Sequence, residues 1–195
     1  METKLICSES FNNYRTQLTK YVSEIKFDEF ETLVNLLLQS RRNKAQVLIA
    51  GNGGSAATSS HFAIDLGVGT MKLGKFPIKS ISLADNLSTI TAIANDLDFS
   101  KVFEKQIEVL GKPGDLLILI SASGNSKNLI NALNLAVQKE MKVFTLTGFD
   151  GGELKLLSSG SNIHIPSMVG EYGLVEDLHL SICHMATECI RAIND

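Results

Sequence analysis

Four side chains of this chain have the types and spacing to move protons or hold a metal ion. His61 and Asp65 are four residues apart in a stretch predicted as helix, which puts both on one face. Near the other end, Glu176, Asp177, His179 and His184 fall within one predicted helix, where Glu176, Leu180 and His184 lie close to one stripe. Imidazoles beside carboxylates suit proton transfer near neutral pH and ligation of a divalent metal. Spacing alone also fits a blander picture. An i, i+4 pair such as His61 and Asp65 is commonly a surface ion pair, which is worth little. His179 points among apolar neighbours and reads as a packing or capping residue, and His164, inside NIHIPS, as a satisfied strand residue. Glu176 and His184 are two turns apart, about 12 Å of helical rise, so they meet at one ligand only if their side chains lean together.

A second chemistry, anion binding, is suggested by two loops. In LLILISASGNSKNLINAL, residues 116–133, an unbroken apolar stretch runs into Ser121, Ser123 and Ser126 around Gly124, and helical spacing follows. Ser126 stands at the N-cap position. Small hydroxyl residues at a helix N-terminus, where backbone N–H groups are free, make a cradle for an anion. A serine-rich turn with one capping residue reads equally well from this loop alone. In GNGGS, residues 51–55, Gly51, Gly53 and Gly54 allow positive φ and close approach of a ligand to the backbone. Neither loop carries the lysine of a nucleotide P-loop, and Ala56 stands where a dinucleotide fingerprint asks for glycine. A nucleotide is disfavoured, while a single phosphate held by hydroxyls and amides remains open.

These loops need strands and helices to hold them. Residues 11–40 space their apolar side chains as two helices broken near Lys26 to Asp28. QVLIAG predicts a strand, followed by the glycine turn and a helix from near Ser55. PIKSISLA predicts a strand, and residues 88–95 and 99–110 predict helices. Leu116 to Ile120 reads as a central strand covered on both faces. KVFTLTG is another strand, closed by the turn GFDGGEL; SNIHIPS is a short strand, and LVEDLHLSICHMATECIRAI a terminal helix. Strands alternating with helices imply an α/β fold, a central parallel sheet flanked by helices on both faces with a helical N-terminal extension. Ligands of such sheets bind beyond the carboxyl ends of the strands, where the strand order reverses.

The 195 residues, with no low-complexity tract, linker or repeat, fit one domain spanning 1–195. A formal charge of -3 without a basic run argues against nucleic acid as a partner. The first ten residues lack a basic start followed by an apolar core, and no apolar run approaches the roughly 20 residues of a membrane span. A soluble, cytoplasmic protein is expected. Cys7, Cys183 and Cys189 show no paired zinc spacing, and the last two read as buried thiols in a helix.

Five segments taken together carry a resemblance: AGNGGSAATSSHFAIDL (50–66), AIAND (92–96), ISASGNS (120–126), LTGFDGGEL (146–154) and VEDLHLSICH (175–184). In this order and spacing they resemble the sugar isomerase (SIS) domain family and, within it, the phosphoheptose isomerases, which convert sedoheptulose 7-phosphate to D-glycero-D-manno-heptose 7-phosphate. The resemblance implies a homotetramer with active sites at subunit contacts, in which the N-terminal helices, 8–42, find their partner. It implies substrate contacts at Asn52, Gly53, Gly54, Asn95, Asp96, Ser121, Ser123 and Ser126, with Ser55 in the same glycine loop and Ala122 in place of a threonine common in the family.

The family's metal and catalytic quartet of His, Glu, Gln and His falls on His61, Asp65, Glu176 and His184. The resemblance implies Asp65 as base, His184 as acid and one zinc ion per subunit, with Glu176 at both metal and substrate. Asp65 is one methylene shorter than the family's glutamate, and Glu176 adds a negative charge where the family has glutamine. These departures bear on which sugar is processed. A relative of these enzymes that assists the bacterial replication initiator, and does no catalysis, lacks the acid at position 65 and the histidine at position 184; this chain keeps both. An isomerase or sensor of another sugar phosphate is the remaining alternative, although arabinose 5-phosphate isomerases usually carry an additional regulatory domain.

Overall fold

A computed structural model describes residues 2–71 and 76–193. The N-terminal helices are α1 (Glu2–Glu24) and α2 (Phe27–Asn43), broken at Ile25 and Lys26. Then follow β1 (Gln46–Gly51), α3 (Gly54–Gly67), β2 (Lys79–Ser82), α4 (Leu87–Asp96), a short 3-10 turn at Phe99–Lys101, and α5 (Glu104–Leu110). The second half runs β3 (Leu116–Ser121), α6 (Lys127–Gln138), β4 (Lys142–Thr147), α7 (Gly152–Leu157), β5 (Asn162–His164) and α8 (Tyr172–Ala192).

All strand pairs are parallel, in the order β2-β1-β3-β4-β5. The central place of β3 follows from its sequence, since Leu116 to Ile120 are all 0 % exposed and each such side chain is stabilised by about 2 kcal/mol when buried. Successive residues point to opposite faces. Val47, Ile49, Leu116, Ile118 and Ile120 join α2, α3 and α8 on one side. Leu48, Ala50, Leu117 and Leu119 join α5 and α6 on the other.

Two segments are more finely divided than the sequence pattern suggests. The stretch 99–110 is interrupted at Val102 and Phe103, between its 3-10 turn and α5; Asp98 caps the start of the turn by accepting a hydrogen bond from Ser100 N. GFDGGEL is a turn only as far as Gly151 and then opens α7. Leu154 N donates to Gly124 O and Glu153 N to Asn125 Oδ1, so the serine loop itself satisfies two of the free N–H groups of α7. A six-residue helix held by tertiary partners has too little periodicity to be read in advance.

Among the mostly polar residues of α1, the apolar Leu5, Ile6, Phe11 and Val22 are exposed, and Tyr21 is its one buried residue. Among the described residues no helix is long and apolar enough to cross a membrane. Cys183 is buried as expected, whereas Cys189 is only half-buried.

Candidate active site

The sheet reverses direction of winding between β1 and β3, and both ligand-type loops leave it there. Their register is Ala50 opposite Leu119 and Gly51 opposite Ile120, so Asn52 and Ser121 emerge side by side. Ser121 Oγ accepts from Gly124 N at 3.0 Å, and Ser123 Oγ accepts from Asn125 N at 3.3 Å. Gly124 has φ +66°, and a Cβ there would stand 2.0 Å from Gly151 O, so no other residue fits this bend. Ser126 is the N-cap of α6, yet its side chain makes no capping hydrogen bond. Its hydroxyl therefore stands at the positive end of the helix without capping it.

A cavity of about 160 Å³ lies over this loop, lined by Ser121, Ala122, Ser123 and Ser126, with Asn52 and Ser55 from the glycine side and Tyr172 and Glu176 from α8. Gly53 forms the N-cap of α3 at φ 57°, and Gly54 is its first residue. The absence of a side chain at Gly54 makes room for Glu176, whose carboxylate would lie 2.3 Å from a Cβ built there. Asn95 and Asp96 stand apart at the exposed end of α4, where Asn95 Nδ2 donates to Asp96 Oδ1 at 2.9 Å; neither lines this cavity.

The second cluster lies where α3 meets α8. Asp65 Oδ2 is 3.0 Å from His184 Nδ1 and 3.7 Å from His61 Nε2, and the two imidazoles meet edge to face with centroids 4.8 Å apart. One ligand atom from each of the three residues lies within 4.8 Å of the others, so His61, Asp65 and His184 could hold a metal ion. The donor set fits. Two imidazole nitrogens and a carboxylate oxygen are a three-ligand set of the catalytic kind, which keeps a position open for water or substrate. Glu176 does not join this group: of the expected quartet the structure brings three together and leaves the fourth carboxylate against Gly54, at the serine cavity. The spacing of eight positions from Glu176 to His184 accounts for the separation, about two turns along one helix.

His179 is fully buried, with neither ring nitrogen in hydrogen-bonding geometry with a partner, and burial pushes its pKa down to about 4. It is a packing residue. His164 Nδ1 lies 3.2 Å from Thr147 Oγ1, and burial lowers its pKa too.

A sugar isomerase domain profile, the SIS domain, matches residues 10–148. Phosphoheptose isomerase of Aromatoleum aromaticum is 39 % identical over 169 residues, 83 % of this chain and 85 % of that protein. That of Helicobacter pylori strain P12 is 37 % identical over 185 residues, 95 % of this chain and 94 % of that one. This chain belongs to the SIS-domain family, among the phosphoheptose isomerases. The structure of phosphoheptose isomerase from Neisseria gonorrhoeae superimposes with a TM-score of 0.85 at 29 % identity, covering 99 % of this chain and all of that one. As a phosphoheptose isomerase the chain is an isomerase enzyme.

Two residues at this isomerase site escape a motif-by-motif reading of the sequence. Tyr172 walls the serine cavity and packs edge to face on Phe149, with centroids 5.0 Å apart. Asn128, 2 % exposed, reaches from α6 to Asn52. Its signal was present: it stands on the buried stripe of α6 with Leu129, Ala132, Leu133 and Ala136, a polar residue where an apolar one is expected.

Proposed function

We propose that this isomerase converts sedoheptulose 7-phosphate to D-glycero-D-manno-heptose 7-phosphate through an enediol, with the phosphate on the serine loop and the carbonyl end at His61, Asp65 and His184. The observation that carries the reading is the contact of Asp65 with His184 within reach of His61. Aldose–ketose isomerisation needs one group to take the proton alpha to the carbonyl and return it to the neighbouring carbon, and another to move a proton between the oxygens. Asp65 is the base. As the imidazolium, His184 donates Nδ1–H to Asp65 and serves as the acid through Nε2–H toward the substrate oxygens. The serine hydroxyls and the N-terminus of α6 anchor the remote phosphate, and that binding energy orients the reacting carbons. Glu176 and Asn52 accept from and donate to hydroxyls along the sugar.

The metal fitting this donor set is zinc, one per subunit, which His61 and Asp65 would hold, with His184 as third donor while its imidazole is neutral; when bound it would supply Lewis-acid polarisation of the substrate oxygens. The exposed apolar side chains Leu5, Ile6, Phe11 and Val22 of α1 support a homo-oligomer, by family a tetramer, with the whole chain as one domain in the cytoplasm. Asn95 and Asp96, which do not line the cavity of their own subunit, are then contacts offered to a neighbour's site. Purified protein incubated with sedoheptulose 7-phosphate, with and without chelator and beside an Asp65→Asn control, tests the assignment; turnover by the wild type no faster than by the control would overturn it.

A further inference from the structure

Asn128 is almost fully buried and polar, and its side chain makes two hydrogen bonds that cross the switch point of the sheet. Asn52 Nδ2 donates to Asn128 Oδ1 and Asn128 Nδ2 donates to Asn52 Oδ1, each at 2.9 Å. Each primary amide has two N–H groups and an oxygen with two lone pairs, so the reciprocal pair occupies half of each. What remains on Asn52 borders the serine cavity.

The serine loop is already fixed on its other side, through Gly124 O and Asn125 Oδ1 to the first residues of α7. Toward the glycine turn it has the amide pair. We propose that Asn128 is a positioning residue for substrate: it holds Asn52, and with it the turn Gly51 to Gly54, at a fixed separation from Ser121 to Ser126, so that both walls of the phosphate cavity are in place before ligand arrives. A loop held in its bound geometry binds more tightly because less ordering remains to be done on association. Without the pair, Asn52, which is half-exposed, turns to water and the glycine turn loses its tie across the cavity.

The inference rests on the sugar-phosphate reading above, and its test keeps the two apart. Wild type, Asn128→Ala, Asn128→Leu, Asn52→Ala and the double variant Asn52→Ala with Asn128→Ala are compared by steady-state kinetics with sedoheptulose 7-phosphate and by calorimetric titration with inorganic phosphate. Leucine fills the asparagine's space without polar atoms, so it preserves packing where alanine leaves a void. In both Asn128 variants KM and the phosphate Kd are expected to rise about tenfold, the equivalent of two lost hydrogen bonds, with kcat little changed. The double variant is expected to match Asn52→Ala alone, because Asn128 acts through Asn52. Unchanged KM and Kd in Asn128→Leu, or fully additive losses in the double variant, overturn the inference. A fall in kcat at constant KM also overturns it, since that is the mark of a purely structural defect. Weaker phosphate binding in the variants, with no heptose phosphate turnover by wild type, instead refutes the substrate and leaves the tie standing; no phosphate binding by wild type refutes both.

Discussion

Asp65 Oδ2 lies 3.0 Å from His184 Nδ1 although 119 residues separate them in the chain. The contact exists because α3 leaves β1 and α8 returns across the same face of the sheet, burying Phe62, Leu66, Ile182 and Ala186 between them. Packing of those apolar stripes turns the next residues, His61, Asp65 and His184, outward together. A carboxylate in this position orients the imidazole and selects the nitrogen that faces a ligand.

Replacing Asp65 by asparagine keeps an oxygen for His184 Nδ1 but removes the group that accepts a proton from carbon. The turnover number is expected to fall on the order of a thousandfold, with thermal unfolding nearly unchanged. A continuous assay of heptose phosphate isomerisation checks it; a variant retaining most of its rate would mean that the base lies elsewhere.

Zinc binding separates the two carboxylates. His61→Ala, which removes one of three clustered donors, is expected to weaken zinc by at least about tenfold. Glu176→Gln, altering a carboxylate that rests on Gly54, is expected to leave zinc affinity essentially intact. Competition titration with a chromophoric chelator measures both. Equal losses in the two variants would mean that Glu176 swings from the serine cavity to the ion.

The parts of the fold that could be read from sequence are those where a single segment decides its own environment. Leu116 to Ile120, apolar without interruption, could only be a strand covered on both faces, and the break at Ile25 and Lys26 lies where the apolar spacing lapses. The glycine and serine loops could be located because strands α/β in alternation put their ligands at carboxyl ends. What spacing and periodicity alone could not show is which side chains converge from different segments, and the resemblance that joined His61, Asp65, Glu176 and His184 did not show Glu176 standing at the serine cavity. His61, Asp65 and Glu176 were equally eligible partners for His184 by type, and only the crossing of α3 over α8 decides that two of them meet it. Asn128 was hidden for a related reason. Its partner is 76 residues away, so nothing in its own helix explains a polar residue on the buried stripe.

Ser126 gives a means of telling a ligand hydroxyl from a helix cap. A serine that caps a helix with its side chain contributes typically about 1 kcal/mol, which is lost on substitution by alanine. Ser126 makes no such bond, so Ser126→Ala is expected to leave the stability to denaturant nearly unchanged while raising KM for the phosphosugar severalfold. A stability loss of cap size with unchanged KM would return the loop to an ordinary turn.

Acid stability should be set in part by His179. Burial lowers its pKa from 6.5 to about 4, and the Thr147 backbone nearby offsets this only partly. Between those values the unfolded chain holds a proton that the folded chain does not, so stability is complete above pH 6.5 and declines as the pH falls toward 4. His164, also depressed by burial, adds to the loss in the same direction. His179→Leu keeps an apolar group of similar size in the site and removes the proton. Urea unfolding of wild type and variant at several values between pH 7 and 4.5 measures the difference. The variant should gain steadily on the wild type as the pH falls, whereas parallel curves would mean that the imidazole takes up its proton equally well in the folded and unfolded chain.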